Sequence, residues 1–304
     1  MSLYLNQNQS ECPFTTKDSW VILSKIEQSI KRKIESVGTP LKYWKDIKIY
    51  RGVLTGCNEA FIISTEKRNE ILNNCSSEEE RTRTDEIIRP ILRGRDIKRY
   101  GYCWDDKWLI ATFPSRHYDI DLYPSLKSYL LKFGKEKLEQ SGKQHLINGD
   151  LIKSRKKTNN QWFETQDSIA YWEDFSEPVL CWQRITKKNI FCLTQAKTIV
   201  LDSMAFLSKI GKFKYYLMAI LNSDLIYFWC KCNVHQYGDS GFRLSNQYVE
   251  NICIPIPTNE ELQYINDLFL NKINDQEFEK EVNQFVYTIY SINENEKEFI
   301  YQLI

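Results

Sequence analysis

The stretch that decides the fold reads RGVLTGCNEAFII at residues 51–63, and IIRPILRGRDIKRY follows it at residues 87–100. The first segment predicts a strand, a turn at residues 55–58 and a second strand. The second segment predicts a basic turn, because it holds five cations in fourteen residues. These cations are Arg89, Arg93, Arg95, Lys98 and Arg99. Together the two segments predict a surface that holds a polyanion against a rigid backbone.

Each segment allows a functional and a structural interpretation. The arginines of RGRDIKR offer planar donor forks that suit phosphate oxygens or the O6/N7 edge of guanine. The alternative is a solvated turn in which Asp96 neutralises one arginine. The amides of the Gly56 turn, with the side chains of Thr55 and Asn58, suit phosphate contacts. The alternative there is a tight hairpin with Gly56 at positive φ.

The bulk properties restrict the class of protein. A chain of 304 residues can form one large domain or two smaller ones. It has no apolar run of about 18 residues, and its start, MSLYLNQNQSECPF, lacks the basic and apolar regions of a secretory signal. We therefore expect a cytoplasmic protein without a membrane partner. The nine cysteines form no CxxC pair, so no metal site is predicted.

The net charge of +1 conceals an asymmetry along the chain. Residues 251–304 hold ten acidic and three basic side chains, a balance of −7, so the first 250 residues carry +8. The basic clusters, rather than the total, are what matter for a polyanionic partner.

The remaining pattern predicts an α+β fold with mixed small β-sheets and flanking helices. Isoleucines spaced by four residues predict a helix over 17–37, capped by Thr16 or Asp18 and ended by Gly38. Strands are predicted at 48–54, 60–64, 104–112, 178–184, 189–194, 198–202 and 252–257. Helices are predicted at 123–140 and 213–232, with two more in 258–304, a polar helix or loop at 66–83 and a polar loop at 141–160. No βαβ repeat occurs, which favours helices at the two ends of the fold.

The motifs of common enzymes are missing from this sequence. It has no GxGxxG, GxxxxGK[ST], GxSxG or HExxH motif, and its three histidines are far apart. It also lacks the Asn-Pro-Pro-aromatic motif with which amino-methyltransferases hold a flipped adenine. We therefore predict no catalytic residue and no cofactor or metal bound by this chain.

The order of the motifs resembles the C-terminal specificity (target-recognition) domain of TaqI-like and type IIG restriction-modification methyltransferases. Seven pieces carry the resemblance over roughly residues 20–260. They are Lys33-Ile34 to Gly38, Gly52 to Phe61, Ile87 to Tyr100, Tyr123 to Leu130, Ile220 to Ser223, Arg243-Leu244 and Ile254 to Pro257. One departure is that the family segment Arg-x-x-x-Gly-x-x-Trp-[Tyr/Phe]-x-Leu survives only in part, matched here from Lys157 to Thr165.

The resemblance implies a DNA target-recognition domain over residues 41–257, a helical N-terminal linker over 1–40 and a helical C-terminal tail over 258–304. It implies sequence-specific recognition of double-stranded DNA as part of a type IIG enzyme. The adenine methyltransferase and nuclease domains of that enzyme, with their S-adenosylmethionine and Mg²⁺, would be absent partners of this chain. The predicted DNA-binding residues are Arg51, Thr55, Asn58, Arg93, Arg95, Lys98, Arg99, Lys156, Arg184 and Arg243.

Several alternatives stay open. The chain is either this module, a specificity-subunit-like module of a type I restriction system, or an independent nuclease. The lysine-rich run 143–157 either lies along DNA or is a solvated face. Trp162 and Trp182 either stack on bases or belong to the core. The turn at 238–241 presents base-reading side chains or is a disordered loop.

Overall fold

The computed structural model describes residues 23–236, 238, 241–271 and 275–303. Its helices are α1 Lys25–Val37, α2 Asn58–Phe61, α3 Thr65–Asn73, α4 Glu78–Ile87, α5 Pro124–Leu131, α6 Lys135–Leu138, α7 Lys214–Asn222, α8 Asp224–Asn233, α9 Asn246–Val249, α10 Asn259–Leu270, α11 Asp275–Ile289 and α12 Glu294–Leu303. Its strands are β1 Thr39–Pro40, β2 Lys48–Arg51, β3 Ile62–Ser64, β4 Ile88–Leu92, β5 Ile97–Lys98, β6 Gly101–Tyr102, β7 Lys107–Ile110, β8 Gln144–Ile147, β9 Asp150–Lys153, β10 Leu180–Gln183, β11 Ile185–Thr186, β12 Phe191–Leu193, β13 Ile199–Val200, β14 Met204–Ser208, β15 Phe242–Arg243 and β16 Cys253–Ile254. This is the predicted α+β class, with small mixed sheets and flanking helices.

The chain divides into two compact units. Unit 1 contains the residues up to Ile49, Gln183–Phe191 and Ile210–Ile304, and unit 2 contains Tyr50–Trp182 and Cys192–Lys209. Each unit therefore draws on segments that are separated in sequence. The three-part division at residues 40 and 257 stays a prediction.

Two four-stranded sheets form the framework of unit 2. One has the order β13-β4-β7-β3, in which β4 runs parallel to β13 and antiparallel to β7. The other has the order β12-β10-β14-β2. Strand β14 is buried along its whole length, as expected for a strand covered on both faces. Both predicted strands are present as β2 and β3, but they belong to different sheets, so the tight hairpin given as the alternative for this turn is wrong. The helical turn α2 lies between the two strands.

A close backbone contact brings the two opening motifs together in unit 2. The Val53 amide donates to the Val200 carbonyl at 2.8 Å, and the Leu201 amide donates to the Leu92 carbonyl at 2.9 Å. Residues 200–201 thus join the strand before Arg93 to the segment after Arg51. A Cβ at Gly52 would lie 2.1 Å from the Leu201 oxygen, so only glycine permits this approach.

Helix α1 confirms the isoleucine period seen in the sequence. Ile30 and Ile34 are fully buried, and the helix begins with a capping box in which Ser24 and Glu27 bind each other's backbone amides. The predicted start near residue 17 and the caps Thr16 and Asp18 lie outside the described residues.

Two helical predictions in unit 1 need correction. The single helix predicted over 213–232 is α7 and α8, since the chain breaks at Ser223, whose hydroxyl caps α8 by accepting from the Ile226 amide at 3.3 Å. The tail contains α10, α11 and α12 rather than two helices. Both α10 and α11 contact α7, and α12 contacts α8, so the tail contributes to the core of unit 1.

The tail also contacts α1, through a buried glutamate. The carboxylate of Glu296 is buried, with 2 % of the residue exposed. It accepts hydrogen bonds from Lys33 Nζ at 2.6 Å and from Ser29 Oγ at 2.8 Å. Burial by itself would raise the pKa of Glu296, but the hydrogen bonds from Lys33, the Asn293 amide and Ser29 outweigh it and lower that pKa.

We expect this site to make stability depend on acidity. Because the folded-state pKa of Glu296 lies below the ordinary value of 4.5, its stabilisation is present above that pH and is lost as the pH falls through the folded pKa. Glu296→Gln should lower the free energy of unfolding by about 1 kcal/mol at pH 7 and flatten its acid dependence. Urea unfolding at several pH values measures both effects. Parallel curves for the two proteins would contradict the assignment.

Candidate nucleic-acid interface

The turn at residues 55–58 is built as the sequence predicted, but its threonine faces inward. Gly56 has a φ of +77°, which favours glycine. Thr55 is fully buried; its hydroxyl donates to Asn58 Oδ1 at 2.6 Å and accepts from the Cys57 amide at 3.1 Å. The Thr55 side chain therefore stabilises the turn and is not accessible to a ligand in this structure, whereas Asn58 is exposed.

A buried arginine connects this turn to two other segments. The Arg155 guanidinium donates to four backbone carbonyls: Leu138 at 2.8 Å, Thr55 at 3.0 Å, Glu164 at 2.7 Å and Trp162 at 2.7 Å. Burial lowers its pKa to about 10. Arg155 thus holds the segments of the candidate interface together, since it binds carbonyls that take part in no strand pairing.

The residues predicted to bind DNA include Lys156 but not this arginine. Lys156 is exposed and Arg155 is buried. The missed signal lies in the family pattern, where tryptophan follows arginine by seven positions, as Trp162 follows Arg155. The partial match therefore begins at Arg155 rather than at Lys157.

The segment after Trp162 is held against the same turn. The amides of Gln166 and Asp167 donate to the carbonyls of Thr55 and Leu54, each at 3.2 Å. The Gln140 side chain adds a bond to the Glu164 carbonyl at 3.1 Å. Trp162 is half-buried beside this network. Trp182 is fully buried, so the core interpretation holds for that residue.

Arg51 is exposed at the end of β2 and forms an ion pair with Asp167. Its carbonyl accepts a hydrogen bond from the Tyr171 hydroxyl at 2.7 Å, and Tyr171 stacks on Tyr50 with ring centroids 4.3 Å apart. The backbone around Arg51 is therefore fixed, while the guanidinium lies at the surface beside one acid.

The half-buried Arg93 guanidinium pairs with two acidic side chains of the protein itself. Its Nη2 and Nε donate to the two carboxylate oxygens of Asp96 at 2.9 and 3.0 Å, and it also pairs with Asp105. Asp96 is buried and accepts from the Arg93 amide at 2.8 Å. The hydrogen bond to Asp96 raises the pKa of Arg93, and Asp105 adds to this rise. The structural interpretation, in which Asp96 neutralises one arginine, is confirmed for Arg93.

The other cations of this motif lie further out. Arg95 and Lys98 are exposed, and Lys98 lies opposite Gly101 in the β5–β6 hairpin. Arg99 is half-buried over the Tyr100 ring, 5.4 Å from its centroid. The motif therefore divides into an internal arginine that shapes the turn and a small cationic surface that the turn presents.

The lysine-rich run predicted as a polar loop is a β-hairpin. Strands β8 and β9 pair antiparallel around Asn148 and Gly149, with φ values of 52° and 90°. Two central residues at positive φ are typical of a type I′ turn, for which Asn-Gly is the strongest sequence signal. That signal was present in the sequence and was missed. The exposed cations of the hairpin and its exit are Lys143, Lys153, Lys156 and Lys157.

The last two predicted DNA-binding residues, Arg184 and Arg243, lie in unit 1. Arg243 is exposed on β15, opposite Ile185 of β11, and Arg184 is half-buried. Gly241 has a φ of +105°, and a Cβ there would lie 2.2 Å from the Thr186 oxygen. Residues 239 and 240 of the predicted turn lie outside the described residues.

Metal sites and membrane spans are both missing from the described part of the chain. Within the described ranges, no group of three or more His, Cys, Asp or Glu side chains could hold a metal ion. Among the same residues, no helix has the length and apolar character needed to cross a membrane.

Comparisons with known proteins agree with the family resemblance that the order of the sequence motifs indicated. A family model described as the TaqI-like C-terminal specificity domain matches residues 89–256. No curated protein matches the chain. Among solved structures, the type IIL restriction-modification enzyme MmeI in complex with DNA is similar over 87% of this chain and 36% of its own, with 13% identity and a TM-score of 0.54. The type IIG restriction endonuclease BpuSI is similar over 87% of this chain and 33% of its own, with 13% identity and a TM-score of 0.47.

The chain spans about a third of the length of each of these solved enzymes, and the likeness to MmeI shows a shared fold. The family model covers more than half of the 304 residues. The matched residues include the basic turn after Arg93, the β8–β9 hairpin and Arg155, whereas the turn at residues 55–58 precedes them. The chain therefore belongs to the family of TaqI-like C-terminal specificity domains.

Proposed function

We propose that this chain recognises a sequence in double-stranded DNA as the specificity domain of a restriction-modification enzyme. The match to the specificity-domain model over residues 89–256 carries this proposal. The geometry supports it, because that region presents exposed cations on turns whose backbones are internally fixed. Rigidly held cations suit phosphate contacts, which set the register of a protein on a duplex.

Within this proposal the predicted residues have different roles. Arg95, Lys98 and Lys156 are exposed and form no ion pair among the described residues, so they are the first candidates for phosphate contacts. Arg51 would have to exchange Asp167 for a phosphate. Asn58, Arg99, Arg184 and Arg243 are candidates for contacts to sugars or base edges. Thr55 and Arg93 would act by shaping the turns.

We further propose that the parent enzyme is of the type IIG kind, with adenine methyltransferase and endonuclease domains as partners. Those domains would use S-adenosylmethionine and Mg²⁺, and the whole enzyme would work in the cytoplasm, where it meets DNA. The short span of this chain relative to the solved restriction-modification enzymes supports the existence of such further domains. In this view residues 41–257 are the recognition domain, residues 1–40 the linker and residues 258–304 the tail.

Binding of the purified chain to a random-sequence duplex should weaken steeply with salt. Each phosphate contact contributes about −0.9 to the slope of log K against log salt, so the three first candidates alone predict a slope of about −3, and every further contact makes it steeper. Fluorescence anisotropy with a labelled duplex at several salt concentrations measures this slope. A flat plot would contradict the proposal. Cleavage of the duplex by the purified chain with Mg²⁺ would instead favour an independent nuclease.

A further inference from the structure

The hairpin formed by β8 and β9 presents a pair of leucines on its exposed face. The exposed fractions are 76% for Leu146 and 65% for Leu151, and these two residues pair directly across the strands. On the opposite face, Ile147 and Ile152 are half-buried. Since side chains alternate along a strand, the body of the protein already covers one face, and the leucine pair lies on the other.

The hairpin is fixed in this orientation at both ends. Its turn, Asn148-Gly149, sets the register of the strands. At its base, the Gly142 amide donates to the Arg155 carbonyl at 2.9 Å, and the Ser154 amide donates to the Lys143 carbonyl at 3.0 Å. A one-residue slip would be needed to turn the leucines inward, and it would break this ladder. The outward leucine pair is therefore a fixed feature of the surface.

The charge around the pair indicates what covers it. Lys153 is exposed on the same face as the leucines, opposite Gln144. The acid Asp150 belongs to the other face, beside Ile147. An apolar protein surface would desolvate Lys153 without pairing it. A DNA duplex offers a phosphate for the lysine and stacked bases for the leucines.

We infer that Leu146 and Leu151 form an apolar wedge that enters a groove of duplex DNA and partly unstacks one base step. Lys153 holds a phosphate beside that step. Apolar side chains inserted between base pairs are a known way for proteins to kink a duplex, and the protein surface that the bent duplex then covers offsets the cost of unstacking. This inference rests on the proposed function, because it names how one element of the interface meets the duplex.

A mismatched base pair tests the wedge without knowledge of the recognised sequence. Unstacking costs least at a mismatch, so the wild-type chain should bind a random-sequence duplex with one central mismatch about tenfold more tightly than the fully paired duplex. The double variant Leu146→Ser/Leu151→Ser should lose this preference and keep the salt slope. The matched control Leu270→Ser, at a leucine that is 71% exposed, should behave like the wild type.

A second variant separates the two parts of the hairpin. Lys153→Ala should reduce the magnitude of the salt slope by about 0.9 and keep the mismatch preference. Because the three substitutions in the hairpin are at exposed positions, the thermal melting temperatures should remain close to that of the wild type, which circular dichroism checks.

The outcomes distinguish this inference from the proposed function. If the wild type binds no duplex, both fail. If it binds with a steep salt slope and the leucine variant keeps the wild-type mismatch preference, the wedge is overturned and DNA recognition stands. If sedimentation shows a wild-type oligomer that the leucine variant dissociates, with unchanged DNA binding, the pair is a protein contact and the wedge is likewise overturned.

Discussion

Replacing Arg155 by methionine is expected to lower the free energy of unfolding by about 3–5 kcal/mol. The guanidinium donates to the carbonyls of Leu138, Thr55, Glu164 and Trp162. Methionine fills a similar volume but supplies no donor, so these carbonyls would lose a charge-assisted partner in a buried place. Urea unfolding, followed by circular dichroism, measures the loss.

Two variants control this experiment. Lys156→Met changes the exposed neighbour and should alter stability by no more than about 0.5 kcal/mol. Arg155→Lys retains a charge, but one compact ammonium cannot reproduce the fork of five donors, so its stability should fall between those of the wild type and Arg155→Met. Equal stability of Arg155→Met and Lys156→Met would show that the carbonyls do not depend on the guanidinium.

Arg93→Ala is expected to lower the free energy of unfolding by about 3 kcal/mol, whereas Arg95→Ala should leave it within about 0.5 kcal/mol of the wild type. The first substitution leaves the carboxylate of Asp96 buried without the guanidinium that pairs with it. The second removes an exposed side chain. Urea unfolding of the two variants measures the contrast between arginines two residues apart.

The same two variants distinguish an arginine that shapes the turn from one that contacts DNA. Arg95→Ala should reduce the magnitude of the salt slope by about 0.9, the value for one phosphate contact. Arg93→Ala should change that slope little in whatever fraction remains folded. If Arg93→Ala instead kept full stability and changed the slope as Arg95→Ala does, its pairing with Asp96 and Asp105 would have no structural role.

Local features were predictable from the sequence because they depend on neighbouring residues. The period of Ile30 and Ile34 predicted a buried helix face, and both are fully buried. Gly56 was predicted at a turn and has positive φ. A helix was predicted from residue 123, and α5 begins at Pro124, whose missing N–H has no helical partner to lose in the first turn. Each prediction rests on backbone sterics or on a period that a short window contains.

Long-range features were not predictable in the same way. Nothing within residues 51–63 shows that β2 and β3 pair with β14 and β7 rather than with each other. The burial of Arg155 depends on carbonyls from residues 55 to 164, which are distant in sequence. Its charge alone therefore did not distinguish it from its exposed neighbour Lys156. The β8–β9 hairpin is different, since Asn148-Gly149 was a local signal that the abundance of lysines concealed.

The discontinuity of unit 1 has a consequence for how the chain assembles as it is made. All segments of unit 2 have been synthesised once Lys209 is reached, but unit 1 still needs the residues from Ile210 onward. Helix α1 and strand β1 come early, yet β1 pairs with β16, and α1 contacts β16 and α12. Since compact units generally fold as their residues emerge from the ribosome, the first helix of the described chain must remain without its partners while the middle folds. The apolar face of α1 is thus among the last surfaces to become buried.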